Sequence, residues 1–193
     1  PFSQDIEIIR SIKKLNYSVA SCFYDDDFIK NLKNNGLVFN LCDGFENPED
    51  EITLIQTLEK NKIPYTGCSS STIKLCQNKY ALKNILISDN IKCSKGQLFK
   101  NINQELDNIN FPLILKPIGE DGSNGIEDDS IVFNHDQLIK KLSQLFLKFK
   151  NGILAEEYID GREFNVPIIG NKTPKALSIL EIDYSQHFEG KPK

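Results

Sequence analysis

An α/β fold is the expectation for this 193-residue chain. Apolar residues recur at helical spacing in several segments, such as Ile8, Ile9, Ile12 and Leu15 early and Leu138, Ile139, Leu142, Leu145, Phe146 and Phe149 late. Between such segments lie short apolar runs of strand length, including Leu37-Val38-Phe39-Asn40-Leu41-Cys42 and Phe111-Pro112-Leu113-Ile114-Leu115-Lys116. Gly- and Pro-bearing turns separate the two kinds of segment.

Residues 4–15 predict a helix, and residues 17–24 alternate as a strand does. A short helix around 27–33 leads through Asn34-Asn35-Gly36 to a strand over 37–42 and a loop at Asp43-Gly44. The next helix, 49–60, presents Ile52, Ile55 and Leu58 on one side. Strands separated by helices predict parallel pairing with right-handed crossovers. This module opens on a helix where open α/β domains open on a strand, so a first strand is expected to precede Pro1.

Ile63-Pro64-Tyr65-Thr66-Gly67 punctuates the chain, and Ser69, Ser70, Ser71 and Thr72 can cap the helix that follows. Helices near 70–76 and 78–88 then precede strands over 96–99 and 111–116, a loop over 119–125 and a strand over 130–133. A helix over 135–150 and strands over 153–156, 163–170 and 176–184 complete the reading.

Composition narrows the function. The chain is 39% apolar and 26% charged with a net charge of −4, which fits a soluble globular protein and argues against nucleic-acid binding through phosphate neutralisation. A small anionic ligand needs only local positive charge. No run approaches the roughly 20 apolar residues that span a bilayer, and the first residues lack a signal-peptide pattern, so a cytoplasmic protein without a membrane partner is expected. Cys22, Cys42, Cys68, Cys76 and Cys93 are odd in number and form no C-x-x-C pair, which predicts reduced, mostly buried thiols. His135 and His187 sit in polar surroundings and read as surface residues; no His/Cys/Asp cluster has metal-ligand spacing. The chain contains no methionine, even at position 1.

Two segments carry chemistry. Lys116 ends an apolar strand and precedes Glu120-Asp121-Gly122-Ser123-Asn124-Gly125, which brings a fixed positive charge beside a loop whose glycines let backbone N–H groups approach a polyphosphate. No Gly-Lys-Ser/Thr follows and no G-x-G-x-x-G is present, which excludes a P-loop and a dinucleotide fingerprint. Further on, Glu156-Glu157-Tyr158-Ile159-Asp160-Gly161-Arg162-Glu163 offers two acceptors seven residues apart around a turn, as an adenine amino group and ribose hydroxyls require. The bland alternatives are a solvated lysine at a strand end and two glutamates flanking a surface turn.

In this order and spacing the segments resemble the ATP-grasp superfamily, most closely its D-alanine:D-alanine ligase-like branch. The resemblance implies an N-terminal preATP-grasp α/β domain over 1–67, a central α+β subdomain over 68–158 and the start of a C-terminal grasp subdomain over 159–193. It implies phosphate contacts for Lys79, Lys116 and Ser123, with Gly122 standing where such ligases carry the first of two serines. It implies that Glu156 meets the adenine amino group, Tyr158 and Ile159 form a hinge against the base, and Glu163 holds the ribose. Where strict D-alanine:D-alanine ligases carry His-Gly and then Gly-Glu-Asp-Gly, this chain has Asp43-Gly44 and Asn47-Pro48-Glu49-Asp50, which leaves the substrate open to other amino acids or a small peptide.

What the resemblance implies of activity is an ATP- and Mg2+-dependent carboxylate-amine ligase acting through an acyl phosphate, possible as a homodimer. The magnesium ligands and a catalytic arginine are expected beyond Lys193, so that this segment supplies mainly ATP binding and is expected to be inactive alone. An inactive nucleotide-binding module or remnant is the alternative of a different class, and an unrelated α/β domain without a nucleotide site is a third.

Overall fold

A computed structural model describes residues 3–22, 28–32, 36–42, 48–120 and 122–184. The chain divides into two compact units, Pro1–Gln77 and Asn78–Lys193, each with its own apolar cluster. The division follows the helix after the Ile63–Gly67 turn, whereas the punctuation in the sequence points to 67.

The first unit contains α1 (Ser3–Lys14), α2 (Phe28–Asn31), α3 (Pro48–Lys60) and α4 (Ser70–Gln77). Glu49, Asp50 and Glu51 in the first turn of α3 and Lys60 in its last turn complement the helix dipole. Ile52, Ile55 and Leu58 are buried as their spacing predicts, and Leu54 joins Leu58 and Phe28 in the core. Glu59 accepts from the Ser70 backbone N–H at 3.0 Å and hydroxyl at 2.7 Å, which satisfies the start of α4.

Two expected strands of this unit do not form among the described residues. Residues 17–22 make no ladder, and 23 and 24 lie outside the described residues. The 37–42 run is reduced to one parallel bridge, Val38 to Tyr65, with Val38 N–H on the Pro64 carbonyl and Thr66 N–H on the Val38 carbonyl. Side chains take the next donors: Asn40 N–H reaches Thr66 Oγ1 and Cys42 N–H reaches Asn40 Oδ1, both at 3.0 Å. Alternation makes a segment suitable for a sheet, but a ladder requires a neighbouring strand. The Asp43-Gly44 loop and His187 lie outside the described residues.

The second unit opens with α5 (Lys79–Ser88), whose N-terminus is capped by Asn78. Strands β1 (Gly96–Phe99), β2 (Leu113–Pro117), β3 (Ile131–Val132) and β4 (Ile153–Glu157) form an antiparallel sheet in the order β1-β4-β2-β3. The parallel pairing expected of the opening module therefore does not extend here.

Helix α6 (His135–Lys148) covers one face of this sheet. Leu138, Leu142 and Leu145 pack on Phe99, Leu113, Leu115, Val132, Ile153 and Ala155. Side chains alternate across a strand, so burying Leu113, Leu115 and Pro117 sends Ile114 and Lys116 to the opposite face. On that face Glu156 stands opposite both Ile114 and Gly96.

The expected strands over 163–170 and 176–184 each break in two. β5 (Glu163–Asn165) pairs with β8 (Leu180–Ile182), and β6 (Ile168–Ile169) with β7 (Lys175–Ala176). Pro167 has no N–H to continue the first run, and its carbonyl accepts from Leu177 N–H instead. No described helix is long and apolar enough to cross a membrane. The five cysteines form no disulfide, and none is buried: Cys22, Cys68 and Cys76 are exposed and Cys42 and Cys93 half-buried.

Candidate functional site

The face of the second unit's sheet opposite α6 carries a cluster of three charges. Glu156 Oε2 lies 3.0 Å from Lys116 Nζ, and its Oε1 lies 2.7 Å from Nζ of Lys83 on α5. The register explains the first contact: Glu156 is paired with Ile114 and thus diagonal to Lys116, within reach of a long side chain. Burial pushes the Glu156 carboxyl up, but the Lys83 hydrogen bond and the Lys116 charge outweigh it and hold the group below the ordinary carboxylate range.

Lys116 stands where β2 gives way to the glycine loop. The far end of that loop is fixed at Gly125, whose φ of +78° is open to glycine. A Cβ there would come within 2.6 Å of Pro117 Cγ and 2.8 Å of Phe149 Cε2. Beyond it, Lys141 reaches from α6 to Glu127 and Asp129, around a 3-10 turn (Asp128–Ser130) closed by the Glu127 N–H to Ser130 Oγ bond at 2.8 Å. Between these anchors Gly122, Ser123 and Asn124 are exposed. Ser123 is left-handed at φ 64°, and Asn124 Nδ2 donates to Glu120 Oε2 at 2.6 Å. Lys79 Nζ donates to the Glu120 carbonyl at the loop's start.

The chain leaving β4 is pinned at three points. Glu157 N–H donates to the Lys95 carbonyl and Tyr158 N–H to the Pro112 carbonyl, while the Glu157 carboxylate accepts from Asn110. The Tyr158 hydroxyl is buried with no hydrogen-bond partner among the described residues, and burial followed by the Asp160 charge pushes its pKa up. Ile159 is 72% exposed. Glu163 lies on β5, accepting from the Tyr184 hydroxyl at 2.9 Å, beside an open cleft of about 580 Å³ lined also by Asp160, Arg162, Glu181 and Asp183. Lys83, Lys116 and Glu156 do not line this cleft.

A family model described as D-ala D-ala ligase C-terminus matches residues 71–189, more than half of the chain. The chain belongs to the D-alanine:D-alanine ligase-like ATP-grasp family. An uncharacterised protein, y4sG, from Sinorhizobium fredii is 28% identical over 155 residues, covering 80% of this chain and 45% of that protein. A D-alanine–D-alanine ligase from Pelagibacter ubique is 29% identical over 182 residues, covering 90% of this chain and 57% of that one. The chain thus spans about half the length of the curated relatives it matches.

Among solved structures, the D-alanine–D-alanine ligase from Bacillus anthracis complexed with ATP matches with a TM-score of 0.66 at 21% identity, over 92% of this chain and 63% of that chain. The VanG D-Ala:D-Ser ligase from Enterococcus faecalis matches with a TM-score of 0.61 at 25% identity, over 73% and 43%. These likenesses establish the ATP-grasp fold.

Of the residues expected in a nucleotide site, Lys116 and Glu156 are in direct contact, and Lys79 reaches from α5 to the start of the loop that carries Ser123. Tyr158 and Ile159 continue from Glu156, whereas Glu163 sits on a separate hairpin. Sequence reasoning missed Lys83. Its signal was its place four residues after Lys79, on the same side of a helix and among apolar neighbours.

Proposed function

We propose that this chain carries the ATP-binding part of a carboxylate-amine ligase. The observation that supports it is the Lys116–Glu156 contact at 3.0 Å, which holds a strand-end ammonium beside an anchored glycine loop. Lys116 and Lys79 would receive phosphate oxygens, and the loop with Ser123 would lay its backbone over them. The pinned segment from Glu156 to Ile159 would take the adenine, and Glu163 the ribose.

In the reaction, a carboxylate oxygen of the first substrate attacks the γ-phosphorus of ATP, giving an acyl phosphate and ADP. The amine of the second substrate then attacks the acyl carbon, phosphate leaves with the C–O bonding pair, and the ammonium loses a proton to give the amide. Both substrates are read as amino acids or a small peptide, and the enzyme as a cytoplasmic homodimer. Magnesium would enter with ATP. No three acidic, histidine or cysteine side chains converge on one cation position among the described residues.

Amino-acid-dependent release of ADP tests the reaction. ATP binding without turnover would favour the alternative, a nucleotide-binding module. Absence of ATP binding would overturn both readings.

A further inference from the structure

We propose, resting on the nucleotide reading above, that Lys83 is a positioning residue. By holding Glu156 in a buried ion pair, it keeps that carboxylate from cancelling the charge Lys116 offers to an anionic ligand.

Lys83 is 7% exposed, and its ammonium has three acceptors for its three protons. These are Glu156 Oε1 at 2.7 Å, the Ser94 carbonyl at 2.5 Å and Ser94 Oγ at 3.2 Å. Such an ammonium has no donor left for a phosphate. Glu156 is shared, with its second oxygen on Lys116. Two ammoniums and one carboxylate leave the cluster with one net positive charge, and Lys116, with its side chain 28% exposed, is the cation that solvent reaches. Without Lys83 the surviving pair would be neutral, and Lys116 would meet a phosphate with its charge already matched.

Gly96 fits the same account. It is directly opposite Glu156, and a Cβ there would lie 3.2 Å from Lys83 Cε and 3.3 Å from Glu156 Cγ. The strand therefore carries no side chain where the ion pair crosses it.

The test is competition of ATP and of adenosine against a fluorescent ATP analogue on the full chain. Lys83→Met should weaken ATP about tenfold, or about 1.4 kcal/mol, and leave adenosine within about twofold. The double variant Lys83→Met/Glu156→Gln should recover most of that loss, since the cancelling carboxylate is gone while the glutamine oxygen still accepts a hydrogen bond. Equal losses for ATP and adenosine, or a double variant no better than Lys83→Met, would overturn the proposal. A wild-type chain that fails to bind ATP would sink the nucleotide reading and this inference with it. Should Lys83→Met fail to fold, acetic anhydride labelling of the wild type decides. Lys83 should resist labelling with or without ATP, and Lys116 only with it; a Lys83 labelled in the free protein and protected by ATP would refute the assignment.

Discussion

Replacing Glu156 with alanine should destabilise the protein far more than replacing Lys116. The Lys83–Glu156 pair is largely withdrawn from solvent, with side chains 8% and 13% exposed. Removing one member of a buried pair leaves the other charge uncompensated, at about 3–5 kcal/mol. The two Ser94 oxygens stay with Lys83, which places Glu156→Ala near the lower end, about 3 kcal/mol. Lys116 is more exposed, and its loss leaves Glu156 still paired with Lys83, so Lys116→Ala should cost about 1 kcal/mol or less. Urea unfolding followed by far-UV circular dichroism measures both, with the denaturant slope as a check that the end states are unchanged. Lys83→Met/Glu156→Gln should cost less than Glu156→Ala, because it buries no lone charge. A Glu156→Ala cost within about 1 kcal/mol of the Lys116→Ala cost would refute the buried-pair account.

Three further outcomes follow from the same structure. Gly125→Ala should cost about 2–4 kcal/mol in the same unfolding assay, from left-handed strain plus overpacking against Pro117 and Phe149; a cost below about 1 kcal/mol would mean the loop is not anchored there. The Glu156 carboxyl titrates below its ordinary 4.5, so its stabilisation is complete above that value and is lost as pH falls through the lowered one. Melting temperature should thus fall less steeply below pH 4.5 in Glu156→Gln than in the wild type, and equal slopes would contradict the shift. Lys141, with its side chain 3% exposed, is held by two exposed acids, so Glu127→Gln/Asp129→Asn should strand its charge and cost about 3 kcal/mol or more. Lys141→Met, which frees those acids to water, should cost about 1 kcal/mol or less, and the reverse ranking would refute the account.

Much of the second unit was legible in the sequence because its periods are unambiguous. The α6 stripe of Leu138, Leu142 and Leu145 buries as spaced, and the alternation of Leu113 and Leu115 with Lys116 fixes which face the lysine takes. The contact between Lys116 and Glu156 joins two segments that chain order already associated with one ligand. Lys83 escaped because a lysine on a helix ordinarily extends into water, and only the fold reveals Glu156 and Ser94 waiting for it. The strands expected in the first unit do not form among the described residues, because alternation cannot report whether a neighbour exists to complete the ladder; in the 37–42 run Asn40 and Thr66 satisfy the backbone instead. The split at Pro167 could have been anticipated, since proline cannot donate within a ladder. An odd count and the lack of C-x-x-C spacing bear on pairing and not on burial, and Cys22, Cys68 and Cys76 are exposed.

Calorimetric titration of ATP into the full chain and into its Lys116→Ala variant is the decisive measurement. Saturable binding by the wild type, weakened about tenfold or more in the variant as the loss of one charge-assisted contact requires, is the expected result. No binding by the wild type, or equal affinity in the two proteins, would contradict a nucleotide site on this face of the sheet.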